Sequence, residues 1–272
     1  MDRQAAFSQE LRRELWRAAE ALADVGAARC LPLFRSRGLI ADNKAARGFD
    51  PVTQADRDAE AAMRAWLAEN RPSDAVLGEE FGPTPGTSGL TWVLDPIDGT
   101  RAFLSGAPSW GVLVGLDDGR GPVLGLVDQP YTGERFMGGL GRALMRRGGR
   151  ETPLAARACA RLEDAVLYTT FPEVGTAAER AGFEAVRDRV RLTRYGLDCY
   201  AYALVALGQV DLVIEAGLHP YDVQGPQGVI EAAGGIVTDW RGGPAHRGGR
   251  ILAAGDARIH AAALELLAAV SD

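Results

Sequence analysis

Among 272 residues there are only three cysteines, Cys30, Cys159 and Cys199, and no two of them form a C-x-x-C pair. That spacing offers neither a thiolate zinc site nor a disulfide framework, so the thiols read as reduced and buried. A basic excess is also missing: Lys+Arg number 30 against 36 Asp+Glu, a formal net charge of -6. A nucleic-acid binder carries a positive footprint, and this balance argues against one. No apolar run approaches the ~20 residues of a membrane-spanning helix. The first residues include Asp2, Arg3, Glu10, Arg12, Arg13 and Glu14 and lack the apolar core of a signal peptide. The expectation is a cytoplasmic protein with neither nucleic-acid nor membrane partners. What is present, 47% hydrophobic and 24% charged residues, is the composition of a globular protein long enough to bury a substantial core.

The most informative stretch is Trp92 to Phe103, W-V-L-D-P-I-D-G-T-R-A-F. Leu90, Trp92, Val93 and Leu94 read as a buried strand, expected to stop at Asp95-Pro96 because proline cannot donate to a sheet ladder. Asp95 and Asp98 then fall within four residues of a turn. Gly99 lets the backbone approach a ligand, and Thr100 can open a helix whose N–H groups suit phosphate. In isolation the same residues make a turn and a helix cap, so the remaining acids decide the reading.

Residues 7 to 29 carry apolar side chains at three- and four-residue intervals and predict an amphipathic helix used for packing. Asp42, Asn43, Lys44 and Gly48 mark a loop, followed by Asp50-Pro51-Val52-Thr53-Gln54-Ala55-Asp56 and a helix ending before Pro72. Thr53 and Asp56 suit helix capping; Asp50 precedes the helix and is harder to explain that way. A short strand over 75–77 ends at Glu79-Glu80, of which at most one can face a given site. Residues 82–89 read as a surface loop, and 110–116, 123–127 and parts of 133–146 as strands. The runs at 146–150 and 246–250, rich in arginine and glycine, read as exposed turns, with RNA contact the remotest account of them. From 151 onward strands alternate with helices: strands at 165–168, 190–192, 211–215, 235–238 and 251–254, helices at 177–188, 197–207, 221–233 and 256–269. That alternation favours an α/β layer. The division expected is an N-terminal half over 1–150 with most of the acids and a C-terminal half over 151–272 with Asp222, joined in one compact body.

Glu79, Asp95, Asp98 and Asp222, with Asp50 behind them, would repel one another if gathered without cations, and magnesium with a substrate phosphate is the partner such oxygen ligands suit. The motifs G-E-E at 78–80, D-P-I-D-G-T at 95–100, P-Y-D ending at Asp222 and E-A-A-G-G at 231–235, with V-T-x-x-D at 52–56, resemble in type and order the signature set of the inositol monophosphatase family of magnesium-dependent, lithium-sensitive sugar phosphatases. Within it, D-G-T-R-A-F, G-A-P-S-W-G at 106–111, Y-G-L-D-C-Y-A-Y from 195 and V-D-L-V-I-E-A-G-L-H-P-Y-D ending at 222 look closest to the histidinol-phosphate phosphatase branch. Gln224-Gly225-Pro226 departs from the small, alanine-rich turn expected after the metal aspartate.

The resemblance implies a layered αβαβα sugar-phosphatase fold of the inositol monophosphatase and fructose-1,6-bisphosphatase type, and commonly a homodimer. It implies two Mg2+ ions, one on Glu79, Asp95 and the carbonyl of Ile97, another on Asp95, Asp98 and Asp222, with a third, weaker one near Glu79. Asp50 and Thr100 would orient and deprotonate the attacking water, with Glu79 beside them, and the Gly99 and Thr100 N–H groups would hold the phosphate. Histidinol phosphate brings an ammonium and an imidazole, for which Glu215 and Asp198 are the candidate acceptors. Arg101 could touch phosphate or form a salt bridge within the fold. His219, His246 and His260 are not expected to be ligands, since magnesium prefers oxygen. Inositol 1-phosphate and adenosine 3',5'-bisphosphate are the rival phosphate monoesters, and a catalytically silent scaffold is the rival from another class.

Overall fold

A computed structural model describes residues 7–37, 41–43 and 51–270. Asp50 lies outside the described residues, as do Lys44 and Gly48. Among the described residues, two large sheets and six of the seven α-helices alternate in five layers, with a small two-stranded sheet beside them. The first layer is α1 (Gln9–Cys30) and α2 (Gln54–Asn70). Ser8 caps α1, its side chain accepting from Leu11 N–H, and one face of the helix buries Leu15, Ala18, Ala19, Leu22 and Gly26. A capping box of Thr53 and Asp56 starts α2, as the sequence indicated, and Ala55, Ala59, Met63 and Leu67 are its buried apolar stripe.

These helices cover an eight-stranded sheet in the order β10-β9-β8-β7-β6-β5-β3-β4. Its strands are β3 (Ala75–Gly78), β4 (Gly82–Thr84), β5 (Thr91–Asp98), β6 (Gly111–Asp117), β7 (Pro122–Gln129), β8 (Glu134–Gly139), β9 (Arg142–Arg147) and β10 (Arg150–Pro153). β6 and β7 are buried along their whole length because helices lie on both faces. On the far face sit α5 (Asp198–Ala206) and α6 (Pro220–Ala232), which also touch the second sheet. That sheet runs β12 (Leu192–Tyr195), β11 (Val166–Thr169), β13 (Leu212–Leu218), β15 (Gly249–Ala254), β14 (Ile236–Asp239). Beyond it, α4 (Ala177–Arg187) and α7 (Ala257–Leu267) form the last layer. Three apolar cores fill the spaces between layers: one under α1 and α2, one around α5 and α6 that reaches both sheets, and one under α4 and α7. The αβαβα expectation and its α/β class hold.

Helix α6 approaches the first sheet closely. A Cβ on Gly125 of β7 would stand 2.0 Å from the Gly225 carbonyl oxygen, so glycine faces glycine where helix and sheet meet. This accounts for Gly225 in the unexpected Gln224-Gly225-Pro226; the helix continues through Pro226, and Gln224 donates to the His246 carbonyl at 3.0 Å.

Several local expectations need correction. Ala41–Asn43 is not loop but a strand (β1) pairing antiparallel with Pro51–Thr53 (β2). Gly82–Thr84, read as loop, returns antiparallel on β3. Only Gly148 and Gly149 turn in the 146–150 run; its arginines lie on β9 and β10, where Arg146 pairs with Glu20 (2.6 Å) and Glu151 (2.8 Å) and Arg147 with Glu134 (3.4 Å). The strand placed at 190–192 is Leu192–Tyr195. All three cysteines are free and buried.

Candidate metal centre and substrate cavity

Strand β5 does not stop at Pro96 but runs to Asp98, and the reason matters for the site. Its parallel partner β3 pairs only as far as Gly78 with Leu94, so no ladder bond is asked of Pro96 from that side. Against β6 the register runs from Asp95–Leu113 to Asp98–Gly111, so that Pro96 and Ile97 stand opposite Val112 alone, a one-residue bulge. In a regular strand residues three apart face opposite sides; the extra residue turns Asp98 back toward the side of Asp95. The second sheet repeats the device. On β13 the register against β15 runs from Glu215–Ile251 to Leu218–Gly249, again one residue too many immediately after an acid.

The site lies where the carboxyl ends of parallel strands meet helix starts: β3 and β5 from one sheet, β11 and β13 from the other, with Thr100–Ser105 (α3), α5 and α6 beginning beside them. A cavity of about 410 Å³ opens there, lined by Glu79, Asp95, Ile97, Asp98, Gly99, Thr100, Arg101, Asp198, Glu215 and Asp222. Every expected site residue except Asp50 is thus gathered in one place. Glu79, not Glu80, lines the cavity.

Carboxylate oxygens of Asp95, Asp98 and Asp222 lie within 4.8 Å of one another. Each also has a local hydrogen bond that fixes its direction: Asp95 accepts from Ile97 N–H (3.0 Å), Asp98 from Cys199 N–H (2.7 Å) and Asp222 from His219 N–H (2.6 Å). The capping role foreseen for Asp222 is therefore real and coexists with membership of the cluster. Among the described residues no arginine pairs with any of the three. Burial, followed by the neighbouring acids, pushes the carboxyls of Asp95 and Asp98 well above the ordinary range. Burial raises Asp222 to about 7, with Glu79 and Glu215 adding to it and the His219 N–H opposing. An all-oxygen donor set at this spacing, crowded and with no arginine partner among the described residues, fits a hard divalent cation such as Mg2+.

Gly99 has φ +81°, and a Cβ there would lie 2.8 Å from Cγ of Asp198, so glycine is required by backbone and neighbour alike. Thr100 Oγ1 donates within reach of both the Ile97 carbonyl (3.2 Å) and Asp56 Oδ1 (3.4 Å). Asp56 also takes Thr53 N–H and hydroxyl on its other oxygen, so a residue read from the sequence only as a cap ties α2 to the site.

Across the cavity the acids are differently housed. Glu215, 8% exposed, accepts from Thr170 N–H (2.9 Å) and Thr170 hydroxyl (2.6 Å) on one oxygen and from Tyr202 hydroxyl (2.9 Å) on the other. Asp198 adopts φ +47°, unusual for a residue with a side chain, and accepts from Ser109 hydroxyl at 2.8 Å. Burial raises both carboxyls above the usual range against these hydrogen bonds. Arg101 lies over the exposed Phe171 ring, 5.3 Å from its centroid, on the cavity wall. His219 also lines the cavity and stacks on Tyr221, whereas His260 is buried against Thr238. Sequence reading missed Thr170, Tyr202 and Ser109 as partners; the last two sat inside quoted motifs, and only the fold shows which acid each serves.

A profile of the inositol monophosphatase family matches residues 11–272. The chain belongs to the inositol monophosphatase family. Similar proteins include the chloroplastic bifunctional phosphatase IMPL2 of Arabidopsis thaliana, 42% identical over 91% of this chain and 73% of that one. The histidinol-phosphatase of Streptomyces coelicolor is 34% identical over 90% and 93%. Among solved structures, an inositol monophosphatase from Zymomonas mobilis superposes with a TM-score of 0.82 at 40% identity, covering 94% of this chain and 98% of that one. Enzymes of this family are metal-dependent phosphatases of small phosphate monoesters, and this chain is a phosphoric monoester hydrolase. Among the described residues no helix is long and apolar enough to cross a membrane.

Proposed function

We propose that the chain hydrolyses histidinol phosphate to histidinol and phosphate with Mg2+ as cofactor, as a step of histidine biosynthesis in the cytoplasm. The observation that carries this is the pair Asp198 and Glu215 on the same cavity as the Asp95–Asp98–Asp222 cluster. An amino alcohol with an imidazole presents donors and positive charge to those two acids while its phosphate faces the cluster. Relatives named histidinol-phosphatase support the reading.

Glu79, Asp95 and the Ile97 carbonyl would hold one Mg2+ ion and Asp95, Asp98 and Asp222 a second, with a third, weaker one near Glu79. Bound Mg2+ supplies charge neutralisation of the phosphate and a coordinated water of lowered pKa. The protein's own residues then position the reactants. Gly99 and Thr100 N–H groups hold the phosphate; α3 has six residues, so local N–H donors and not a long helix dipole do this. The Thr100 hydroxyl, held toward Asp56, orients the attacking water, with Asp50 as its proton acceptor. Asp198 retains an oxygen for the substrate beyond its Ser109 bond. Glu215 is oriented by three donors, which makes it a rigid acceptor. Arg101, stacked on Phe171, closes the wall beside Asp198.

Inositol 1-phosphate is the second reading, favoured by the inositol monophosphatase neighbours, since Glu215 can accept hydroxyls as readily as an ammonium. Phosphate release from histidinol phosphate, inositol 1-phosphate and adenosine 3',5'-bisphosphate, each with Mg2+ and with EDTA, separates them. A Mg2+-dependent preference for histidinol phosphate is expected, with inhibition by lithium at saturating Mg2+ and a homodimer by sedimentation. Preference for another ester would overturn the substrate assignment, and so would no release from any, which would point to a phosphate monoester outside these three.

A further inference from the structure

Glu79 sits at the mouth of a hairpin that apolar burial does little to hold. Pro83 and Thr84 of β4 are exposed, and Phe81 at the turn is 53% exposed. What closes the hairpin is polar and comes from α2. Glu60, completely buried, accepts the N–H of Glu80 at 2.7 Å on Oε2 and the N–H of Phe81 at 3.2 Å on Oε1. Arg64, one helical turn on, donates Nε to Glu60 Oε1 at 2.7 Å, Nη1 to Thr84 Oγ1 at 2.9 Å, and Nη2 to the Gly82 carbonyl. From the other side, Glu79 N–H donates to the Leu94 carbonyl of β5 at 3.3 Å. The peptides before and after Glu79 are therefore both fixed. Gly78 is the residue that admits the clamp: a Cβ there would lie 2.0 Å from Glu60 Oε1.

We propose that Glu60, braced by Arg64, is a positioning residue that sets the Glu79 carboxylate toward Asp95 and thereby tunes cation affinity. This rests on the reading of Glu79 as a metal ligand. A buried carboxylate needs its charge satisfied; here Arg64 supplies the counter-charge and the two backbone N–H groups that follow the ligand complete the donors, so the side chain stabilises one conformation of that turn. Glu60 touches neither substrate nor reacting atoms and acts through Glu79.

The test is a double-mutant cycle on Mg2+ binding, read by titration calorimetry of the metal-free protein. Glu60→Gln keeps the shape but sets an amide NH2 against one of the two N–H donors. It is expected to weaken Mg2+ binding roughly tenfold, and to raise the Mg2+ needed for half-maximal rate by the same factor while kcat at saturating Mg2+ stays within about threefold. In a Glu79→Gln background the Glu60→Gln effect should vanish. Where Glu60→Gln fails to fold, Arg64→Gln, at a side chain reaching the surface, is expected to weaken Mg2+ binding about threefold by loosening the same turn. Weakening that persists in the Glu79→Gln background, or variants that lower thermal stability with unchanged Mg2+ affinity, would overturn the proposal. Unchanged Mg2+ affinity in Glu79→Gln alone would instead overturn the ligand reading beneath it.

Discussion

Two kinds of buried acid occur in this molecule. Asp211 is fully buried, receives Arg157 Nε at 2.7 Å and Val166 N–H at 2.7 Å, and pins β11 to the turn before β13. Asp74, 6% exposed, receives Arg71 Nε at 2.7 Å and Trp92 Nε1 at 2.9 Å. Burial alone would raise its carboxyl, but bonds from Arg71, Ser88 and Trp92 bring it below the usual carboxylate range. Asp95, at 2% exposure, lies between the two in burial, yet its neighbours are Glu79, Asp98 and Asp222. Among the described residues, burial therefore does not separate Asp95 from these paired acids; the lack of an arginine partner does. The paired acids contribute to folding through partners already in the chain, whereas among the described residues the cluster has backbone N–H donors but no arginine, and a bound cation would supply its counter-charge.

The comparison is broken first by removing one acid of each kind. Asp95→Asn should reduce phosphate release at least ~1,000-fold, about 4 kcal/mol of transition-state stabilisation, while the metal-free protein becomes no less heat-stable; near-normal turnover would remove Asp95 from the site. Asp211→Asn should leave kcat unchanged and cost about 2–3 kcal/mol of stability through lost charge-assisted bonds, a Tm lower by roughly 5–10 °C. The two outcomes exchanged would invert the argument. Glu215→Gln keeps shape but loses charge, and histidinol phosphate should lose roughly tenfold in kcat/KM, about 1.4 kcal/mol, with an aryl phosphate nearly unaffected. Equal losses would make Glu215 structural.

The smallest effect is in pH. Carboxyls whose folded pKa is raised are protonated in the folded chain and ionised in the unfolded one between those values, so the unfolded state binds fewer protons there. Metal-free protein should therefore lose stability as pH rises from about 4, the ordinary value, toward the value of about 7 reached by Asp222, with Asp95 and Asp98 acting in the same direction. A Tm falling by roughly 3–5 °C across that window, and flattened by Mg2+ or by Asp222→Asn, is the expected scan. A Tm rising with pH would contradict the uncompensated cluster.

Helices α1, α2, α4, α5, α6 and α7, the buried central strands and the acids found on the cavity wall were legible because each leaves a local mark, whether apolar period, cap or motif; Asp50, named on the same grounds, lies outside the described residues. The path of β5 past Pro96 was not, since whether a proline ends a strand depends on which neighbour needs its N–H, and β3 simply ends first. The one-residue bulges behind Asp95 and Glu215 are properties of strand pairing, invisible in one strand's sequence. Glu60 gave no signal because an acid on an amphipathic helix reads as surface until a turn 20 residues away places two N–H donors against it. The short β4 and β10 strands are exposed and carry no alternation to find.

The most direct measurement is a calorimetric Mg2+ titration of the metal-free chain beside Asp95→Asn at pH 7, with melting curves of both. The uncompensated cluster requires that the native chain bind Mg2+ and gain heat stability from it, and that the Asn variant bind at least ~10-fold more weakly, about 1.4 kcal/mol, with its metal-free form melting no lower than the native. Equal affinity in the two proteins, or a native chain indifferent to Mg2+, would contradict it.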